Sequence, residues 1–300
     1  MTIFISMCLC VNHVVTTPAA ARPRDISSEY YPENLLSAKT FRVPTSLPSL
    51  CVRKGRSVAE LTAIAPDLSG LIVILSSIAS KKSVDVLGGS LVKVFDGGLL
   101  ISLFVDYTDS GLSPEGIEHS LGGIGVVESL SVNGALAKGV AVNSHMFPLM
   151  MGDKRAVVFA VDYFCDMMEH LRERLGEAAN ALLYDMGHKY GEAFARSLRT
   201  ETSLTGDELV RLSLAEVQAS GWCVLENYQA DANKMVWRLS VKELFECSKR
   251  RPGASVNRSH FFRGFLSGLF EEAFGLVNIS CVETLCQANV ADACDFALWV

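Results

Sequence analysis

Several features that mark large protein classes are missing from this sequence. No apolar run in its 300 residues is long enough to cross a bilayer as a helix, so we expect no membrane span. No G-x-G-x-x-G fingerprint connects a predicted strand to a helix, and there is no Walker-type phosphate loop and no G-x-S-x-G elbow. The sequence therefore does not predict a dinucleotide oxidoreductase, a P-loop NTPase or an α/β-hydrolase.

Charge and cysteine usage narrow the classes further. The net charge is −6, which argues against broad phosphate binding, and we expect no direct nucleic-acid partner. The nine cysteines lack a compact spacing framework, which favours reduced thiols in the cytoplasm over a disulfide scaffold. With 49% apolar and 20% charged residues, a chain of this length suits two packed domains.

The first 55 residues are expected to form a disordered extension or linker. The N-terminal stretch is apolar and ends in small residues, as a secretory signal does. It lacks a basic n-region, however, and Asn12 and His13 interrupt its apolar run. From residue 17 to about 50 the chain is rich in proline, serine and charge without a sustained period, which is typical of a linker.

Residues 56–134 follow the order strand, helix, strand, strand, helix, strand. The predicted strands span 57–64, 84–95, 99–107 and 126–132, and the predicted helices span 71–80 and a segment that begins at Ser113. The second helix has Ser113 as its cap and Pro114 at its first position. The turn Asp96-Gly97-Gly98 between two of the strands is a strong β-hairpin signal.

This order, with a D-x-S-G turn after the first strand, resembles an ACT domain. The resemblance implies a ferredoxin-like βαββαβ sheet that binds an amino acid at this turn, here Asp67, Ser69 and Gly70. A helix N-terminus presents N–H groups that suit a carboxylate. Every helix also needs a cap, so Asp67 and Ser69 remain candidates for a purely structural role.

After a connector at 135–143, residues 147–300 predict a mixed α/β domain with a long helix and an antiparallel sheet. The predicted strands span 147–151, 155–161, 222–228, 235–241, 276–285 and 295–300, and the predicted helices span 164–198, 205–220 and 259–274. Gly187 and Gly191 lie four apart on the long helix, which indicates either close helix packing or a pocket wall. Gly275 marks the end of the last helix.

A second resemblance is carried by the C-terminal residues. The pattern RG-x-L-x-G spans 263–268, E-x-x-C spans 283–286 and C-x-F spans 294–296. This pattern is similar to the 4-vinyl-reductase-type (hydrocarbon-binding) domain, whose fold resembles subunits of the TRAPP tethering complex. The resemblance covers about 147–300 and implies a ligand-binding domain.

The same motifs offer a candidate metal site. Glu283 and Cys286 lie where a strand is predicted to end, and Cys294 returns eight residues later. Thiolates with a carboxylate or imidazole suit tetrahedral zinc. Aromatic-sensing members of the family hold zinc with a further upstream cysteine, and here Ser259 stands in its place, so the adjacent His260 is the candidate fourth ligand.

Both cysteines could instead be small buried hydrophobes. If zinc is bound, we expect it to be structural, because no second cluster supplies the acid or base that a catalytic site needs.

Methionine and aromatic residues from elements that pack together in this family form a candidate pocket. They are Met168, Met186, Phe194, Trp222, Trp237, Phe261 and Phe265. Such walls suit apolar ligands of varied shape, and they equally suit an ordinary core.

The combined interpretation is a regulatory sensor of a small hydrophobic or aromatic molecule, more a binding protein than an enzyme. Its mechanism would be a ligand-driven shift between conformations. Two alternatives stay open. One is a component of a tetrapyrrole vinyl-reducing enzyme, for which no flavin or nicotinamide site is visible. The other is a scaffold or tethering-like subunit, which a pocket filled by its own side chains would favour. Both families commonly dimerise, so the resemblances imply a homodimer.

Overall fold

The computed structural model describes residues 47, 49–80, 83–94, 98–125, 127–145, 147–231, 234–248, 259–288 and 291–300. The predictions for residues 1–46, for Asp96 and Gly97, and for the loops around 232–233 and 252–253 lie outside these ranges. The described residues divide into two compact units, one ending at Val157 and the other beginning at Val158. Both units mix helices with antiparallel sheets.

The N-terminal unit is built on a four-stranded antiparallel sheet with the strand order β3-β4-β2-β5. Its main elements are β2 (Val58–Ala65), α1 (Leu68–Ser80), β3 (Asp85–Lys93), β4 (Leu99–Asp106), α2 (Pro114–Gly122) and β5 (Ser129–Gly134). The Ser113 hydroxyl accepts the N–H of Gly116 at 3.1 Å, so α2 begins at the predicted cap. Leu61 and Leu103 of the sheet share one core with Ile74 of α1 and Ile117 of α2.

Two short strand pairings in this unit differ from the sequence predictions. β1 (Leu50–Val52) pairs with β6 (Val140–Val142), although these residues were assigned to a linker and a connector. The strands expected at 147–151 and 155–161 reduce to a hairpin of two residues each, β7 (Met150–Met151) and β8 (Lys154–Arg155).

The C-terminal unit packs helices on a second antiparallel sheet with the order β11-β12-β10-β9. Its elements are α3 (Val161–Leu175), α4 (Glu177–Thr202), α5 (Gly206–Ala219), β9 (Val224–Asp231), β10 (Val236–Lys242), a 3-10 turn (Phe245–Cys247), α6 (His260–Phe274), β11 (Ser280–Leu285) and β12 (Cys294–Trp299). The ring of Phe262 on α6 lies 5.3 Å from that of Phe296 on β12. Helix α6 therefore lies directly over the sheet.

The long helix expected at 164–198 is two helices. Gly176 separates α3 from α4 with φ 58° and ψ −134°, a backbone conformation in which glycine is favoured because it has no Cβ. Its N–H still donates to the carbonyl of Arg172, so α3 ends with a satisfied hydrogen bond. The helical spacing of apolar residues continues through this break, which explains why periodicity alone did not reveal it.

Helices α4 and α6 meet backbone to backbone at four glycines. A Cβ added at Gly187 or Gly191 would lie 2.0 or 2.1 Å from a carbonyl oxygen of α6. A Cβ added at Gly264 or Gly268 of α6 would lie 2.0 or 2.1 Å from a carbonyl oxygen of α4. Of the two explanations for the paired glycines of α4, close helix packing is the one observed. Among the described helices, none is both long and apolar enough to cross a membrane.

Candidate functional site

Four buried donor side chains converge at one end of the C-terminal sheet. They are Cys247 of the 3-10 turn, Glu283 of β11, Cys286 just after β11 and Cys294 at the start of β12. Their donor atoms all lie within 4.8 Å of one another. The sulfur atoms of Cys247 and Cys286 are 3.6 Å apart. We call these four residues the donor cluster.

An irregularity in β11 brings Cys286 into this cluster. Cys281 and Glu283 alternate inward along the strand, so regular alternation would next bury Leu285. The register with β12 shifts between Glu283 and Leu285, and Leu285 is exposed while Cys286 is buried. A β-bulge of this kind moves the following side chain to the other face of the sheet.

The donor set matches the chemistry of a tetrahedral metal site. In a site with Zn–S bonds of about 2.3 Å, neighbouring sulfur atoms lie about 3.8 Å apart. The 3.6 Å between the Cys247 and Cys286 sulfurs is close to that edge length. Three thiolates and one carboxylate are also ligands that zinc accepts in proteins.

The electrostatics of the cluster are those of crowded, buried acids. Burial, followed by repulsion from Cys286, raises the pKa of Glu283 to about 8. Hydrogen bonds from the Cys247 and Cys294 thiols lower the pKa of Cys286. A bound divalent cation would offset the cost of keeping several of these groups ionised together.

Two backbone N–H groups fix the donor positions. Ser259 N donates to Glu283 Oε2 at 3.3 Å, and Gln287 N donates to Cys294 Sγ at 3.4 Å. Outer hydrogen bonds of this kind orient metal ligands. Ser259 is itself fully buried beside Glu283, at the residue before α6.

The fourth donor is Cys247, which the sequence reasoning did not consider. The expected alternative, His260, lies outside the donor cluster, and its Nδ1 is 2.7 Å from Arg263 Nη2, one helical turn away. Cys247 lies 36 residues before Glu283 and belongs to no local motif with it. Its only sequence signal is a cysteine six residues after the end of the predicted strand 235–241.

Seven aromatic residues form a second group in this unit, which we call the aromatic cluster. It comprises Phe164, Tyr190, Phe194, Trp222, Phe245, Phe261 and Phe265. The Trp222 ring centroid lies 5.1 Å from that of Phe265 and 5.3 Å from that of Phe245. Tyr190 stacks on Trp222 at 5.5 Å. Such separations are typical of favourable ring contacts.

The aromatic cluster has a buried side and a partly exposed side. Phe245, Phe261 and Phe265 are buried, whereas Tyr190 is 38% exposed and Trp222 is half-buried. Burial raises the pKa of Tyr190 above that of a free phenol, so it stays neutral in the physiological range.

The structure brings together four of the seven predicted pocket residues and separates the other three. Phe194, Trp222, Phe261 and Phe265 all belong to the aromatic cluster. Trp237 packs on Phe270 and Phe274, with centroids 5.3 and 4.9 Å away. Met168 is a buried core residue of α3, and Met186 of α4 is 48% exposed.

The predicted amino-acid turn of the N-terminal unit is built as a helix cap. Asp67 Oδ1 accepts the N–H of Gly70 at 2.8 Å, at the start of α1. Ser69 is exposed, and Gly70 is buried. This geometry matches the purely structural role, a helix cap, that the sequence left open for Asp67.

A buried carboxylate in the same unit was missed by the sequence reasoning. Glu60 is fully buried on β2 and accepts hydrogen bonds from Ser102 Oγ at 3.0 Å and Ser144 Oγ at 2.6 Å. Ser144 N also donates to it, and His145 Nδ1 lies 3.3 Å away. Burial alone would raise the pKa of Glu60, but hydrogen bonds from Ser144, Ser102 and Asn133 lower it below its ordinary value.

Comparisons with known proteins give a similarity of fold. No family model matches the chain, and no curated protein sequence matches it. Among solved structures, it is similar to the phenol-responsive sensory domain of the transcription activator PoxR with phenol, at 16% identity and TM-score 0.42, over 50% of this chain and 79% of that one.

Two further structures are similar over about half of this chain. One is trafficking protein particle complex subunit 3 from Naegleria fowleri, covalently bound to palmitic acid, at 15% identity and TM-score 0.37, over 46% of this chain and 93% of that one. The other is a vinyl-4-reductase family protein from Methanocaldococcus jannaschii, at 15% identity and TM-score 0.33. This match covers 48% of this chain and 82% of that one. At these identities and scores the similarity concerns part of the fold and identifies neither a ligand nor a reaction.

Proposed function

We propose that the C-terminal unit is a metal-stabilised binding module that holds one zinc ion in the donor cluster. The observation that carries this proposal is the convergence of four buried donor atoms within 4.8 Å. Four protein ligands complete a tetrahedral coordination shell and leave no open position for a substrate. The metal is therefore structural and not catalytic.

The zinc ion would connect three chain segments at this end of the sheet. Cys247 lies in the 3-10 turn, whereas Cys286 and Cys294 lie on either side of the loop between β11 and β12. Binding energy gained only in the folded state contributes directly to folding. The ion thus stabilises the end of the sheet that lies beside the start of α6.

We propose further that the aromatic cluster binds a small hydrophobic or aromatic molecule, and that this binding is regulatory. The partly exposed Tyr190 and Trp222 rings lie over buried Phe245, Phe261 and Phe265, which supports insertion of a flat apolar ligand. Offset stacking and edge contacts favour such a ligand over an aliphatic chain. Ligand binding would act by shifting the unit between two conformations.

A scaffold or tethering-like role is the second candidate, and one observation favours it. Phe261 and Phe265 touch Trp222 and Tyr190 directly, so the cluster is filled by its own side chains. If this packing is permanent, the unit offers a surface and not a pocket.

Two expectations from the resemblances remain proposals for the whole chain. One is that the chain forms a homodimer. The other is that the turn at Asp67 and Gly70 binds an amino-acid carboxylate, which would have to replace the Asp67 side chain at the Gly70 N–H. Isothermal titration with the twenty amino acids tests the second proposal, and absence of any binding contradicts it.

The function is tested by native mass spectrometry and metal analysis of the full chain. We expect one zinc ion per chain, lost in Cys286→Ser and kept in Cys223→Ser, whose thiol is buried outside the donor cluster. Zinc-loaded protein is then titrated with 1-naphthol as an aromatic probe. Saturable binding at one site supports the binding module. Zinc without naphthol binding favours the scaffold, and a chain that takes up no zinc overturns the metal site.

A further inference from the structure

The side chains of three successive residues in the 3-10 turn contact three different parts of the C-terminal unit. The Phe245 ring belongs to the aromatic cluster, 5.3 Å from Trp222. The Glu246 carboxylate reaches the N-terminus of α6. The Cys247 sulfur belongs to the donor cluster. A displacement of this short turn therefore affects the aromatic cluster, the start of α6 and the donor cluster together.

Glu246 is the central contact of the turn. It is buried, and its two oxygens accept the N–H groups of Phe261 at 3.1 Å and Phe262 at 2.9 Å. These N–H groups belong to the first turn of α6, where no partner within the helix is available. Arg172 of α3 donates to the same carboxylate at 3.0 Å. Glu246 thus joins the start of α6 and the end of α3 to the turn.

The start of α6 also contacts both the aromatic cluster and the donor cluster. Phe261 donates its N–H to Glu246, while its ring lies 6.0 Å from Trp222 and 6.2 Å from Phe245. Ser259, which precedes the helix, donates its N–H to the donor Glu283. The start of α6 is therefore held by two carboxylates, Glu246 of the turn and Glu283 of the donor cluster.

A second contact fixes the turn from α3. The thiol of Cys165 donates to the carbonyl of Phe245 at 3.1 Å. Phe164, its neighbour on α3, places its ring 5.9 Å from that of Phe245. Together with Arg172, these contacts make α3 the third element whose position depends on the turn.

We propose that the Phe245–Cys247 turn couples the donor cluster to the aromatic cluster, so that zinc binding strengthens the binding of a planar aromatic ligand and the ligand strengthens the binding of zinc. This inference rests on the proposed function and adds its regulation. Zinc fixes Cys247, which holds the Glu246 carboxylate under α6 and sets the Phe245 and Phe261 rings. Coupling between two sites is reciprocal in equilibrium binding.

Fluorine NMR of the full chain labelled with 5-fluorotryptophan gives a direct test. The chain has three tryptophans, of which Trp222 lies in the aromatic cluster, while Trp237 and Trp299 lie outside it. Titration of zinc into metal-free protein is expected to shift the Trp222 resonance and to leave that of Trp299 nearly unchanged. The same titration is expected to raise the affinity for 1-naphthol at least about fivefold, the lower end of typical coupling.

The variant Glu246→Gln separates coupling from metal binding. It leaves all four donors in place, so zinc content stays at one per chain, while the effect of zinc on naphthol affinity is expected to fall below about twofold. If this variant does not fold, Arg172→Met serves the same purpose, because it removes the cation beside Glu246 and leaves the helix N-terminus intact.

Failure of the coupling is distinguishable from failure of the proposed function. If the wild-type chain binds one zinc ion but neither the Trp222 resonance nor naphthol affinity responds, the coupling is wrong and the metal site stands. If zinc binds and naphthol does not, the coupling is overturned, because there is no ligand affinity for zinc to raise, and the metal site stands. If the chain takes up no zinc, the proposed function and the coupling both fail.

Discussion

The sulfur atoms of Cys247 and Cys286 lie 3.6 Å apart, although Cys247 belongs to a turn after β10 and Cys286 directly follows β11. Cys294 and Glu283 complete the group around them. Thiols this close are either a coincidence of a cysteine-rich core or the ligands of one ion. The two explanations differ in what removal of a single sulfur does.

Cys247→Ser is expected to abolish zinc binding, although this residue lies in none of the C-terminal motifs. Treatment of wild-type protein with a chelator should lower Tm by about 5–10 °C, because a ligand at 100 times its Kd contributes about 2.7 kcal/mol. The variant should start at the lower Tm and show no response to the chelator. Differential scanning calorimetry measures both effects.

Cys223→Ser is the matched control, since Cys223 is another buried thiol of the same unit, and it should respond to the chelator as wild type does. Equal chelator responses in Cys247→Ser and wild type would remove Cys247 from the metal site.

Gly187→Ala and Gly264→Ala are each expected to destabilise the chain by at least about 1–3 kcal/mol, the usual cost of overpacking. The added Cβ would lie 2.0 Å from a backbone carbonyl oxygen of the facing helix, and a backbone carbonyl cannot move aside cheaply. Urea unfolding followed by circular dichroism gives the free energy of unfolding.

Gly122→Ala provides the comparison, because this glycine of α2 has open space around it. It should be neutral or slightly stabilising, since alanine is the better helix former. A loss at Gly122 as large as the loss at Gly187 would contradict the close-packing explanation.

Glu60→Gln is expected to cost about 1–3 kcal/mol at pH 7, because several donors lose their charged acceptor. The folded-state pKa of Glu60 is lowered, so its contribution to stability is present above the unfolded-state pKa, about 4.3 for glutamate. It is lost progressively as pH falls from there through the folded-state pKa. The difference in Tm between variant and wild type should therefore shrink below about pH 4.

The exposed Glu128 supplies a control for this titration. Glu128→Gln should leave Tm within the error of wild type at every pH. A Glu60→Gln difference that stays constant from pH 7 to pH 3 would show that the ionised carboxylate is not what stabilises the unit.

Trp222→Leu is expected to weaken 1-naphthol binding about 3–10-fold, which corresponds to the loss of about one aromatic ring contact. Trp299→Leu, a change of a partly exposed tryptophan at the end of β12, should leave the affinity unchanged. Titration calorimetry on zinc-loaded protein measures both variants. Equal losses in the two variants would show that the aromatic cluster is not the binding site.

Local sequence patterns determined most of the secondary structure. The end of α6 at Gly275, which adopts the left-handed conformation, and the Ser113 cap of α2 were predicted from single residues. In β10 the alternate residues Trp237, Leu239 and Val241 form the buried face, as the period of two along a strand requires. These features depend on backbone conformation and side-chain period within a few residues, and both can be read along the chain.

The tertiary structure decided which residues far apart in the sequence come into contact. Cys247 joins Cys286 only because the sheet brings β10 and β11 to the same end, and Cys286 turns inward only because of a bulge in β11. Glu246 became a cap for α6 in the same way, across a separation of 15 and 16 residues. Residue types and spacing set which donors and rings the chain can offer, whereas the packing of the sheet and α6 selects which of them meet.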